Sequence, residues 1–291
     1  MVSGPGRALL AGWVCGVSAC AAPASKGERR EDAGAAPRVE DAGSARRADA
    51  VVDAAPRPGG AEGDYLVDEA AARAGGAVRV IVRWPDTPRA RRTSPGPSGC
   101  GGERLPTARP DALWGVGDVL VALEVPRGLP ARPSEVALTV EDCAVRPRLA
   151  VAHPGATLGI ESRDGALRAV RVRGHRWRSA RQFGPSPAGP ARGLRLPWRG
   201  HRVELPLPEP ALWQIEGEGK HAAEDAAWLV VAPHPYVAVT NGAGAAVFPD
   251  VPAGDVVVTG WLPARGGGRA LTLRGETRVH TGETAEVVLT P

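Results

Sequence analysis

The residues able to do chemistry in this chain are few and scattered. Its six histidines are His153, His175, His201, His221, His234 and His280, its four cysteines are Cys15, Cys20, Cys100 and Cys143, and its one methionine is Met1. The tightest gathering is His221 with Glu224 and Asp225. An imidazole beside two carboxylates suits zinc or a non-blue copper ion if His175 or His201 completes the set. Solvated loop histidines are the plainer alternative, and His234 reads as structural within His234-Pro235-Tyr236. No GxSxG, HExxH or CxxC occurs, and Gly217-Glu218-Gly219-Lys220 lacks the spacing and the Ser or Thr of a phosphate loop. The acid pairs Glu141-Asp142 and Glu224-Asp225 are neighbours in sequence, which does not set them across a cleft. These readings argue against an enzyme and call for no cofactor.

The start of the chain gives an address. Arg7 precedes a short apolar stretch, residues 8–17, too short to span a bilayer. It ends in Val17-Ser18-Ala19-Cys20, which resembles the lipobox of bacterial lipoproteins. That resemblance implies a signal peptide over residues 1–19, a lipid on Cys20, and a protein anchored to the cell envelope. Ala21 after the cysteine favours the outer membrane by analogy. An ordinary signal peptide cut after Ala19 or Ala22 is the alternative, and it also exports the chain. Two or three acyl chains hold a protein stably, since each buried CH₂ contributes roughly 0.8 kcal/mol. Residues 20–76 then read as a disordered tether of Ala, Gly, Pro and charged residues, with an EDAG unit at residues 31–34 and again at 40–43. Its reach is on the order of 40 Å. Residues 66–74 are a candidate short helix near its end.

About 215 residues remain for a folded core, enough for one large β domain or two small ones. Short apolar runs recur between Pro and Gly, beginning with Val78, Val80, Val82 and Trp84, which alternate with Arg79, Ile81 and Arg83. Similar runs fall at 119–125, 136–140, 149–151, 157–160, 167–173, 203–207, 212–215, 228–232, 236–240, 256–261, 270–273 and 285–289. No long amphipathic helix interrupts them. The pattern predicts an all-β antiparallel sandwich. With Cys15 in the signal peptide and Cys20 taking the lipid, Cys100 and Cys143 remain as an even pair, which an exported domain favours as a disulfide.

The C-terminal portion carries the most specific pattern. Residues 234–240 (HPYVAVT), 247–254 (VFPDVPAG) and 256–261 (VVVTGW) resemble the "HPYxAVT … VPxG … W" series of plastocyanin-like proteins related to methylamine-utilisation proteins. Upstream, residues 76–84, Cys100, residues 118–124, Cys143 with Pro147, and residues 154–158 resemble further motifs of that family. The resemblance implies a cupredoxin-like Greek-key domain over residues 77–232 and carboxypeptidase regulatory-like (transthyretin-like) strands over 233–291. It leaves open whether the latter stand alone or pair with the 76–84 strand around an inserted core. The tight turn of Val251-Pro252-Ala253-Gly254 needs Pro252 to fix φ and Gly254 to take a positive one.

The family's copper ligands do not carry over. The first histidine position is occupied by Arg168, the cysteine position by Gly217 or Glu218, and the methionine position by Glu224 or Asp225, leaving His221 alone. A blue copper centre needs a thiolate with two imidazoles. The expectation is therefore a copper-less, non-catalytic binding or structural module, with a His221/Glu224/Asp225 metal site as the alternative.

One further feature is the stretch 168–202, which holds ten Arg and no acid. Arg173, Arg176, Arg178 and Trp177 form its candidate anion-binding group, since guanidinium clamps phosphate or carboxylate while indole stacks. Near a membrane, anionic lipid or an acidic envelope polymer is the expected partner. Coding bias is the plainer alternative, because only Lys26 and Lys220 are lysine. A net charge of +4 argues against nucleic acid. The resemblance places this stretch at the end of the sandwich where copper would bind.

Overall fold

The unbroken apolar runs at residues 120–123 and 227–231 form central strands of this protein, buried on both faces. The computed structural model describes residues 65–97, 100, 103–176, 189–264 and 269–291, within one compact unit, Ala55–Pro291. The lipobox, Cys20 and the first part of the tether lie outside the described residues.

The chain begins with β1 (Leu66–Val67), α1 (Glu69–Arg73), β2 (Gly76–Val82), α2 (Arg89–Arg92), β3 (Leu120–Glu124) and β4 (Arg127–Gly128). It continues through β5 (Glu135–Glu141), β6 (Ala144–Arg146), β7 (Leu149–Ala152), β8 (Ala156–Ser162), β9 (Arg168–Arg176) and β10 (Arg192–Leu196). Then follow β11 (Arg202–Leu207), β12 (Ala211–Glu216), β13 (Ala227–Val231) and β14 (Val237–Val239). The last are β15 (Ala245–Val251), β16 (Gly254–Leu262), β17 (Leu271–Val279) and β18 (Thr284–Leu289).

Four sheets stack in the order β15-β2-β18, β14-β3-β16-β17, β10-β9-β12-β13-β7 and β11-β8-β5-β6. Strand geometry sends alternate side chains to opposite faces. On β3, Val121 and Leu123 enter the first apolar core with Val78, Val80 and Val258, while Leu120 and Ala122 enter the middle one. On β13, Leu229 and Val231 enter the third core with Leu138 and Ile160, while Trp228 and Val230 face the middle. This explains why Leu120-Val121-Ala122-Leu123 and Ala227-Trp228-Leu229-Val230-Val231 are unbroken apolar runs, whereas β11 and β18 alternate. In the middle core Trp261 meets Trp228 edge to face, with ring centroids 5.5 Å apart.

The all-β class holds, with four differences of detail. Four pairings are parallel: β1 with β4, β2 with β18, β5 with β8 and β7 with β13. Each joins strands that are not consecutive, which local patterning does not reveal. The pairing also ignores a division at 232/233. β2 lies between β15 and β18, and β3 lies between β14 and β16, so the C-terminal strands complete a sandwich opened by the first strands. The chain leaves that sandwich after β3, builds β5 to β13, and returns at β14.

The end of the tether is folded rather than disordered. Tyr65 packs against the first core, β1 pairs with β4, and the Asp68 carboxylate accepts from the Ala71 N–H at 2.9 Å to cap α1. Finally, β10 and β15 add strands where none was expected, while Gly254 takes the expected positive φ, 138°.

Because the middle core joins the two sandwiches by apolar contact among the described residues, Trp261→Ala should lower stability by about 3–5 kcal/mol. Urea unfolding should also split from one transition into two. A midpoint within error of the parent protein would show that the two tryptophans do not couple the sandwiches.

Candidate functional site

The loop over residues 217–226 leaves β12 and returns as β13, and it carries His221, Glu224 and Asp225. Its first residue, Gly217, lies so close to the β5–β6 turn that a Cβ there would collide with the Cys143 carbonyl oxygen. That turn holds Asp142 and Cys143 at φ 50° and 63°, the left-handed pair of a two-residue hairpin. Cys143 is disulfide-bonded to Cys100, with Cα atoms 5.8 Å apart. Closing a loop across a sequence separation of 43 contributes about 4 kcal/mol in the chain-entropy model.

The disulfide fixes one end of the segment that delivers Arg104, a buried residue, to the acids of this loop. Its Nε donates to Asp225 Oδ2 at 2.6 Å and its Nη2 to Glu224 Oε2 at 2.7 Å. A second buried arginine, Arg148, approaches from just before β7 and donates through Nη2 to Asp225 Oδ1 at 3.0 Å. Two guanidiniums thus meet two carboxylates. His221 Nδ1 lies 3.4 Å from Glu224 Oε2 at the rim.

The electrostatics follow from these contacts. Burial works against the charge on Arg104, but the bonds from Asp225 and Glu224 outweigh it and hold the guanidinium above its ordinary value. Burial lowers Arg148, whose Nη1 has no hydrogen-bond partner. The Arg104 hydrogen bond holds Glu224 below the usual carboxylate range.

Arg168 donates from Nε to Asp164 Oδ2 at 2.6 Å, and its Nη1 lies 3.9 Å from Glu218 Oε2. Although burial opposes it, that pairing leaves Asp164 below its ordinary value. Asp164, Glu218, Glu224 and Asp225 each face an arginine, so this donor set suits a guanidinium and does not fit copper. Among the described residues, no three His, Cys, Asp or Glu side chains gather as a metal ion would need.

The other candidates are dispersed. His175 is buried opposite Leu212, its Nε2 3.3 Å from Gln214 Oε1 and its ring tilted against Trp228. It lies toward the end of β12 remote from His221. His201 packs edge-on against Trp198.

Arg173 and Arg176 stand three residues apart on β9, so alternation sends them to opposite faces. Arg176 is also far from the loop, whereas Arg173 pairs with Gln214, two residues from the end of β12 that enters it. β9 runs antiparallel to β12, pairing Arg171 with Glu216 beside the loop and Arg176 with Ala211 far from it. Five residues of strand separate the two positions by roughly 17 Å. Trp177 and Arg178 lie outside the described residues.

Sequence reasoning found the acids and missed their partners. Arg104 sits in a Pro- and Gly-rich stretch that reads as coil, and Arg148 is one arginine among many.

Fold and site define an all-β protein of stacked sheets with an arginine–carboxylate cluster at the loop between β12 and β13. No protein family matches the sequence, and no curated protein matches it. Among solved structures, a pseudoazurin from Sinorhizobium meliloti is similar at 15% identity, over 35% of this chain and 76% of that chain, with a TM-score of 0.23. At so low a score the architecture rests on the strand pairing itself.

Removing the shared acid should be costly, because it leaves buried guanidiniums without their counter-charge. Asp225→Asn should destabilise the fold by about 3–5 kcal/mol, and adding Arg148→Met should recover part of the loss. Chemical denaturation checks both, and a neutral single variant would refute the shared-acid role.

His234 gives a separate pH prediction. Burial, and secondarily His153, lowers it from 6.5 to about 4. Between those values the unfolded chain binds a proton that the folded chain refuses. Stability is therefore complete above pH 6.5 and falls by roughly 3 kcal/mol by pH 4. His234→Phe should flatten that slope, and an unchanged slope would assign it elsewhere.

Proposed function

We propose that this chain is a lipid-anchored cell-envelope protein. In this reading its inner sandwich, β5 to β13, is a cupredoxin-like module without copper, and it serves a binding or structural role rather than catalysis. One observation carries the reading: Arg104 occupies the metal loop as a resident cation, bonded to both Glu224 and Asp225. A guanidinium is itself a divided positive charge with five fixed donors. It satisfies those carboxylates, and no thiolate stands at Gly217 or Glu218 to hold copper. The lipid anchor draws support from Val17-Ser18-Ala19-Cys20 and from the charged, Ala- and Pro-rich stretch after it.

Two measurements test the halves of this proposal separately. Titrating the purified chain with Cu²⁺ and Zn²⁺ should show no binding tighter than micromolar. Tighter binding that disappears in His221→Ala would overturn the copper-less reading in favour of a His221/Glu224/Asp225 site. Expressed in a lipoprotein-processing bacterium, the protein should carry a diacylglyceryl mass and partition with membranes, and Cys20→Ala should release it. An unmodified mass would overturn the anchor.

A further inference from the structure

The segment between α2 and β3 carries Arg104 inward on one side and opens a cleft on the other. The cleft has a volume of 660 Å³ and is lined by Arg92, Glu103, Arg104, Arg109, Asp111 and Trp114, among others. Arg104 is committed to the acids beneath it. Arg92 and Arg109 are exposed, and neither forms an ion pair among the described residues. By contrast the neighbouring Arg91 is in use, stacked over Trp84 and donating to the Arg269 carbonyl.

The turn at the cleft exposes two large apolar side chains, Leu113 at 73% and Trp114 at 41%, and of these Trp114 lines the cleft. They do not dangle. Asp111 Oδ1 accepts from the N–H groups of Leu113 at 2.8 Å and Gly115 at 2.7 Å, and the Trp114 N–H donates to the Asp111 carbonyl at 3.1 Å. Isolated bridges from Arg83 to Gly115 and from Pro110 to Val116 clamp both ends of the turn. Trp114 itself sits at φ 64°, a left-handed conformation that glycine adopts freely and a bulky aromatic rarely does. A position shaped for glycine therefore carries an exposed indole, held rigidly over a cleft with unpaired guanidiniums. Such pre-organisation lowers the entropy lost on binding.

We infer that this cleft is a binding site for a hydroxyl-rich oligosaccharide. An indole offers a flat apolar face to the C–H face of a pyranose ring. Guanidinium groups donate to sugar hydroxyls, and the Glu103 carboxylate accepts from them. The lining mixes both charges, which fits a polyol better than an anionic surface. It is also too polar for an apolar peptide. This inference deepens the reading as a binding module, and its ligand test is independent of both the metal titration and the lipid mass.

The test is calorimetric titration of the full chain with three hexasaccharides: β-linked neutral cellohexaose, β-linked N-acetylated chitohexaose and an α-linked acidic oligogalacturonate. At least one should bind with a Kd below about 1 mM. Trp114→Gly should weaken that binding at least tenfold while leaving thermal stability unchanged or raised, because glycine relieves the left-handed backbone. Arg92→Gln with Arg109→Gln should weaken it comparably. The inference is overturned by no binding of any of the three sugars, or by unchanged affinity in Trp114→Gly. Polyglutamate or anionic vesicles binding more tightly than every sugar would overturn it too, in favour of a charge-driven partner.

Discussion

The middle core is the constraint on which the rest of this structure depends. Two sheets of a β protein can each keep one wet face, but here two sandwiches share their inner walls, and β3, β13 and β16 must be apolar on both sides. Trp228 and Trp261 fill the space between those walls, and the smaller Ala122 and Val230 lie beside them. Dense packing of that kind transmits strain and leaves little room to slide. It fixes β12 and β13, and with them both ends of the loop that carries Glu224 and Asp225. The arginine cluster therefore forms on a rigid frame.

That cluster shows how a loop rich in acids is held in place by cations from elsewhere in the chain. The loop needs something at its centre, because Asp225 is mostly buried and an uncompensated carboxylate there is unfavourable. Arg104 and Arg148 supply the charge. The disulfide between Cys100 and Cys143 keeps the segment bearing Arg104 near the loop, and Gly217 permits the β5–β6 turn to close against it. A buried ion cluster of this sort adds little net stability compared with apolar packing, but removing one member leaves the others exposed to its loss.

Most strands were legible because period-two apolar patterns are local. β10 escaped notice because Arg192-Gly193-Leu194-Arg195-Leu196 offers only two apolar residues, which cover the edge of a core supplied by other strands. β15 was hidden by Pro249 and Asp250, which fall where its register with β2 shifts and Asp250 takes φ 52°. The pairing of β2 with C-terminal strands was legible only as one of two alternatives, because its partners β15 and β18 are far from it in sequence. At the site, the acids showed themselves through the resemblance, whereas Arg104 acts across about 120 residues, and nothing in a linear pattern marks such a contact. Position on β9 likewise decided that Arg173 and Arg176 part company, which a count of arginines conceals.

The pairing of β2 with β18 also sets an order of events in synthesis. The outer sandwich needs Thr284–Leu289 beside Gly76–Val82, so it cannot close until nearly the whole chain has been made. The sandwich from β5 to β13 draws only on its own strands and can condense earlier. β3 and β14 run antiparallel, with Ala122 opposite Val237, so the early-forming part begins and ends at neighbouring points. Its condensation brings those points together and removes most of the loop-closure entropy that β3 and β14 would otherwise face. In this protein the later-made strands meet a template whose two halves have already been gathered for them.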